Sequence, residues 1–312
     1  MSFALSLNAV SKSFGALHVL RGVDLRVPTG TVFGLVGPNG AGKTTLFSII
    51  SGYLRADQGS IEMFGQVIEK GRPPSWGRFG ILPQDAALLP RSTIAEQLTL
   101  YAMLQGLTED QAKQDCDRVL SAVQLAEVAP RKPTTLSHGM HKRVGIAQAF
   151  LGSPELVILD EPTAGLDPNA ARSIRNWIRV LSESCTVIVS SHNLSEIEDL
   201  CDEVAILHQG TIVQQHTVSG VVAGAASLLI RPEREPTAKG LAAIDAMPFV
   251  IGVQWSSEGG RIAVEFNRDM AAPSVAAREL ISLMIELDLP FVELQIGKSL
   301  EERFIEQTNT PG

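Results

Sequence analysis

The sequence predicts an α/β protein with a smaller α+β part appended, and three observations carry that prediction. The stretch Gly37-Pro38-Asn39-Gly40-Ala41-Gly42-Lys43-Thr44-Thr45 fits the pattern G-x-x-x-x-G-K-[ST] without a mismatch. It lies between a strand-like run, 31–36, and a helix-like run, 44–51. A second apolar run, 156–159, ends in Asp160-Glu161, as a parallel strand buried on both faces does when it delivers charge to its C-terminal edge. Near residue 218 the character changes, which divides the chain into 1–217 and 218–312.

Composition bounds the rest. The chain has 312 residues, longer than most single domains, so two domains are expected. With 45% hydrophobic and 19% charged residues it reads as a soluble globular protein. A net charge of −8 argues against nucleic acid as a partner, because backbone phosphates demand a basic face. The cysteines Cys116, Cys185 and Cys201 sit in apolar contexts without metal-ligand spacing, the pattern of buried reduced thiols in a cytosolic protein. The N-terminus lacks the basic start and long apolar core of a secretion signal. The longest apolar stretch, 221–230, falls far short of the ~20 residues that span a bilayer. Contact with a membrane is therefore expected only through a partner.

In chain order, residues 3–27 place apolar side chains at Leu5, Leu7, Leu17, Val19, Leu20, Val23 and Leu25, which predicts antiparallel strands about a turn at Ser13-Phe14-Gly15. Phe14 there is an aromatic that can stack on a purine or serve packing alone. A turn at Asp57-Gln58-Gly59 leads into a strand at 60–64, and 81–84 closes another. Thr93-x-x-Glu96 and Thr108-x-x-Gln111 are capping boxes, and Ala112, Cys116, Val119, Leu120 and Val123 share one helical face. Residues 85–154 thus read as a helical subdomain inserted into the α/β core. Beyond the 156–159 run come a helix at 169–181, a buried strand at 185–190 ending before Ser191-His192, a short helix at 194–200 and a hairpin about 208–210. From 227 the order is strand, helix, strand, strand, helix, strand and a last helix at 300–307, which predicts a ferredoxin-like domain.

The chemistry follows from these placements. Glycines at 37, 40 and 42 let the backbone turn tightly and aim its N–H groups at a polyphosphate, with Lys43 reaching the β and γ phosphates and the Thr44 hydroxyl ligating Mg²⁺. The helix that opens there turns its positive end toward the anion. Asp160 is placed to hold Mg²⁺ through water, and Glu161 to orient or polarise an attacking water.

Residues 136–168, LSHGMHKRVGIAQAFLGSPELVILDEPTAGLDP, together with the phosphate loop, resemble the nucleotide-binding subunit of an ABC transporter, over roughly residues 3–217. The resemblance implies a P-loop ABC-type ATPase core with an antiparallel β subdomain and the inserted helical subdomain. It implies that ATP is the ligand, with residues 37–45 on its phosphates and Phe14 on adenine. It further implies that Gln84 is a loop glutamine near Mg²⁺ that senses a transmembrane permease, and that His192 contacts the γ-phosphate. Ser137 and Gly139 then belong to a signature loop that meets ATP held by a second ATPase subunit, and Asp167 is the acid of the loop that follows Glu161. The helix after the signature is expected at 141–151, leaving Ser137 to Met140 as loop.

His138 and Met140 stand where the family's usual pattern has glycine and glutamine, a variation that resembles branches paired with export-type permeases. The ending 298–308 resembles ATPases of ABC-2 type exporters. A homodimer on the cytoplasmic face of the membrane, energising a separate permease for export, is the leading expectation. A soluble ATPase of the iron–sulfur assembly kind, or a nucleotide-regulated binding module with weak hydrolysis, are the alternatives.

Overall fold

The structure, a computed structural model, describes residues 2–69, 77–217, 227–256, 260–267 and 270–296. It divides into two compact units, 1–216 and 217–312.

The first unit holds two sheets. β1 (Phe3–Phe14), β2 (Leu17–Pro28), β4 (Gln58–Met63) and β5 (Gln66–Val67) form one, in the order β2-β1-β4-β5, with antiparallel pairing. The alternation of apolar positions produces it: Leu5, Leu7, Val23, Leu25 and Val27 point inward while Asp24 and Arg26 face water. Phe14 pairs with Leu17, so the hairpin turns at Gly15-Ala16, and Leu17 itself is exposed. The strand expected from residue 60 starts at Gln58, because the pairing with β1 takes in Gln58 opposite Ser11 before a register shift.

The second sheet runs β10-β9-β3-β8-β7-β6, from β3 (Val32–Val36), β6 (Phe79–Leu82), β7 (Leu156–Leu159), β8 (Thr186–Ser191), β9 (Glu203–His208) and β10 (Thr211–Thr217). The strands from β6 through β9 pair in parallel. β3, β7 and β8 are buried along their whole length, which is why β7 reads as an unbroken apolar run and β8 has one at its centre. Helix α1 (Lys43–Ile50) places Leu46, Phe47 and Ile50 in a core shared with β1, β2, β3 and β7. The helices α5 (Pro168–Ser182) and α6 (Leu194–Leu200) complete the wrapping of this sheet.

Between β6 and β7 lie α2 (Ile94–Leu104), α3 (Glu109–Ala122), two short 3-10 turns and α4 (His138–Ala149). Both capping boxes form, at Thr93/Glu96 and Thr108/Gln111, and the anticipated face of α3 is buried through Ala112, Cys116, Val119 and Leu120. Burial pushes the thiols of Cys116 and Cys185 up to about 11 and that of Cys201 higher still, so all three are inert at neutral pH.

In the second unit β11 (Ser227–Pro232), α7 (Ala238–Asp245), β12 (Val250–Ser256), β13 (Arg261–Phe266), α8 (Pro273–Glu286) and β14 (Phe291–Ile296) follow one another. The sheet order is β12-β13-β11-β14 with every pair antiparallel. Its core joins Leu228, Ile230, Ile262, Val264 and Phe266 of the sheet to Ile244, Leu280 and Met284 of the helices. The helix expected at 300–307 lies outside the described residues, as does the 298–308 motif.

One contact fixes where α4 stands. A Cβ on Gly80 of β6 would overlap the carbonyl oxygen of Ala149 at the end of α4, so only glycine permits this approach. Replacing Gly80 with Ala is expected to lower unfolding free energy by about 1–3 kcal/mol, read as a fall in the urea midpoint.

Candidate functional site

The C-terminal ends of β3, β7 and β8 meet at one point. The loop leaving β3 contains Gly40 and Gly42, both with left-handed backbone, at φ 82° and 109°. At Gly42 a Cβ would also lie 2.7 Å from Leu20 Cδ2, so this residue meets a conformational and a steric demand together. The turn delivers Lys43 to the first position of α1, where it is only 6% exposed. Its ammonium donates to the carbonyl of Gly37 at 2.7 Å and to that of Pro38 at 3.4 Å. It also stands 3.4 Å from Glu161 Oε1.

The two acids at the end of β7 are buried, Asp160 at 2% and Glu161 at 5% exposure. Glu161 Oε2 lies 2.8 Å from Nδ1 of the exposed His192, just past the end of β8. Its Oε1 is buried without a hydrogen bond and has Lys43 as its ionic neighbour. One carboxylate therefore bridges the lysine of the first loop and the histidine of the last. Glu161 holds this place with a left-handed φ of 50°, a conformation that costs a non-glycine residue on the order of 1 kcal/mol.

Two residues outside every sequence motif organise this cluster. Ser190, the penultimate residue of β8, is fully buried; its hydroxyl donates to Asp160 Oδ1 at 2.5 Å and accepts from the Glu161 N–H at 2.9 Å. Glu196 of α6 accepts from the hydroxyls of Thr163 at 2.6 Å and Ser191 at 3.2 Å, tying the segment after Glu161 to the segment before His192. The serines leave a faint signal in the sequence, as polar residues closing an apolar strand. A lone glutamate on a short helix leaves none.

The remaining predicted residues stand elsewhere. Phe14 is at the hairpin tip, 48% exposed, with Lys12 Nζ 5.4 Å above its ring. Gln84 and His138 both line a cleft of about 830 Å³, whose walls include Leu88, His141, Lys142 and Gly165. The loop beyond Gln84 is held by buried Gln97, which accepts from the Leu89 N–H at 2.6 Å and donates to the carbonyls of Leu89 and Ser92, each at 3.0 Å. Asp167 caps α5, accepting from the N–H groups of Asn169 and Ala170.

At the signature the structure differs from expectation. The helix starts at His138 instead of 141, because the Ser137 hydroxyl accepts from the Met140 N–H at 3.3 Å and so caps it. Gly139 is thus in the first helical turn, not in a loop. His138 is exposed at that turn, and the space a side chain at Gly165 would enter lies 3.9 Å from its Nε2.

A glycine-bent loop opening a helix, a lysine inside it and two acids at a neighbouring strand edge define a P-loop nucleotide-binding ATPase. The chain belongs to the ATP-binding subunits of ABC transporters. The sequence profile of the ABC transporter family matches residues 20–164. Over 210 residues the chain is 40% identical to the linearmycin resistance ATP-binding protein of Bacillus subtilis (strain 168), covering 67% of this chain and 68% of that one. It is 32% identical over 309 residues to an uncharacterized ABC transporter ATP-binding protein of the same strain, covering 97% and 95%. A solved ATP-binding cassette of an ABC transporter in its ADP conformation superposes with a TM-score of 0.63 at 26% identity, covering 72% of this chain and 95% of that chain.

Lys43→Ala is expected to weaken nucleotide binding by roughly 1.5–3 kcal/mol, the loss of charge-assisted hydrogen bonds to phosphate. Titration calorimetry with ADP checks it, and unchanged affinity would remove Lys43 from the phosphate site.

Proposed function

We propose that this chain is the ATP-hydrolysing subunit of an exporter, acting as a dimer on a separate transmembrane permease. The observation that carries the reading is the buried Glu161 carboxylate, held between Lys43 and His192 at the mouth of the phosphate loop. In this reading residues 37–45 wrap the ATP phosphates, with Lys43 drawn to the β and γ oxygens and Phe14 stacked on adenine. Glu161 accepts a hydrogen bond from the attacking water and orients it toward the γ-phosphorus. His192 fixes Glu161 through Nδ1 and contacts the γ-phosphate.

Thr44, Asp160 and Gln84 supply oxygen donors only, the set a hard cation such as Mg²⁺ takes. Among the described residues no group of three or more His, Cys, Asp or Glu side chains is placed to hold a metal ion. Thr44, Asp160 and Gln84 would hold the ion, which would neutralise phosphate charge when bound.

Ser137 and Gly139 at the start of α4 offer a helix N-terminus to ATP on a second copy, with Asp167 contributing from the cap of α5, which makes the working unit a dimer. Among the described residues no helix is long and apolar enough to cross a membrane. We assign the permease to a separate chain, and this chain to the cytoplasmic face against it. Export is favoured by the Ser137-His138-Gly139-Met140 signature and by the relative named for linearmycin resistance. Residues 218–312 are read as a ferredoxin-like accessory domain; the β-α-β-β-α-β succession and the order β12-β13-β11-β14 support it.

Glu161→Gln is expected to cut turnover about 10²–10⁴-fold while leaving ATP binding intact, with an ATP-dependent dimer accumulating on size-exclusion chromatography. Wild-type hydrolysis by this variant would show that Glu161 does not orient the water. An affinity-tagged chain is expected to copurify from detergent extracts with a multi-span membrane protein; recovery with a soluble scaffold alone would overturn the transport reading.

A further inference from the structure

We infer that Ser190 is a positioning residue for ATP hydrolysis, setting both acids at the end of β7 through one hydroxyl. This rests on the ATPase reading above. A serine hydroxyl has one proton to give and can accept in return. Here the proton goes to Asp160 Oδ1 at 2.5 Å, and the oxygen accepts from the Glu161 N–H at 2.9 Å. The first bond fixes the rotation of the Asp160 carboxylate. The second fixes the main chain of Glu161, which is the strained link, because its φ of 50° is one that L side chains rarely adopt.

The neighbours show why this bond matters. β8 lies between β3 and β7 in the sheet, so Ser190 sits between the strand that feeds the phosphate loop and the strand that carries the acids. Ser190 itself is opposite Leu35 in the β3 register. It is fully buried, so water cannot take the place of its hydroxyl. Glu161's side chain is held separately, by Lys43 and His192. Loss of the hydroxyl would leave those contacts in existence and release the backbone from which they are aimed. The consequence is a carboxylate still present, yet displaced from the line of attack.

The residue is fully buried and its hydroxyl is engaged by Asp160 and Glu161, so its removal is expected to change kcat and not nucleotide affinity. The test uses the full chain, in complex with its permease where that is needed for turnover, as wild type, Ser190→Ala and Ser190→Thr. Steady-state hydrolysis, ADP affinity by calorimetry and the thermal midpoint are measured for each. For Ser190→Ala, kcat is expected to fall on the order of 10²-fold, the cost of a small misplacement of a reacting group, with ADP affinity at the wild-type value. Wild-type kcat in Ser190→Ala overturns the inference.

Should kcat and thermal midpoint fall together in Ser190→Ala, Ser190→Thr decides. It restores the hydroxyl while adding a methyl to a closed space, so it worsens packing and keeps the hydrogen bonds. Recovery of kcat despite a lowered midpoint supports positioning, and no recovery overturns it. The two readings fail separately: a wild-type protein without ATP hydrolysis sinks the ATPase assignment, whereas active wild type beside an equally active Ser190→Ala sinks only the role of Ser190.

Discussion

A carboxylate removed from water needs a cation or several donors close by. Glu161 meets that condition by standing between Lys43 and His192, and the rest of the first unit follows from keeping those three groups together. The phosphate loop must return toward the sheet to bring Lys43 in. β7 must run fully buried to its last residue so that the acids emerge at its edge. β8 must end one residue short of His192 so that the ring reaches Oε2. Each of these is a constraint on a different part of the chain, satisfied at one place.

Much of this is legible in the sequence where function and local structure share a short pattern. The phosphate loop, the apolar runs of β3, β7 and β8, and the two capping boxes are local statements, and each forms where its residues say it should. The succession of elements from 227 to 296 is equally local, marked out by separate apolar stretches with turn residues between them. Ser190 is not legible because its partners are thirty and twenty-nine residues away in sequence and on another strand. Glu196 is hidden for the same reason, since its partners Thr163 and Ser191 come from two separate segments. The start of α4 is misplaced by sequence because the resemblance makes Ser137 to Met140 a signature loop, a preference for loop over helix. A capping serine outweighs that preference once its hydroxyl bonds to Met140.

The second unit stands on its own packing. Its helices α7 and α8 and the inner face of its sheet make a core of their own. Its chemistry is plain: the ion pairs it shows lie at the surface, as Arg231 does with Glu293 and Arg234 with Asp288. Such pairs contribute little to stability. The candidate reactive groups are all in the first unit.

The strand order carries a consequence for how the molecule is made. β3 precedes the helical subdomain in sequence, yet both of its neighbours come long after it: Val32 pairs with Val187, and Phe33 with Glu203. Pairings between distant segments form late, because the intervening loop must be closed before they give any return. A chain emerging from the ribosome would therefore complete α2 and α3, whose caps are local, while the phosphate loop still lacked the strands on either side of it. During that interval Lys43 has no Glu161 to face, and β3 has both edges bare. Binding competence would thus arrive abruptly, when residues beyond 208 are released, and the helical subdomain would wait, already formed, for the sheet that receives it.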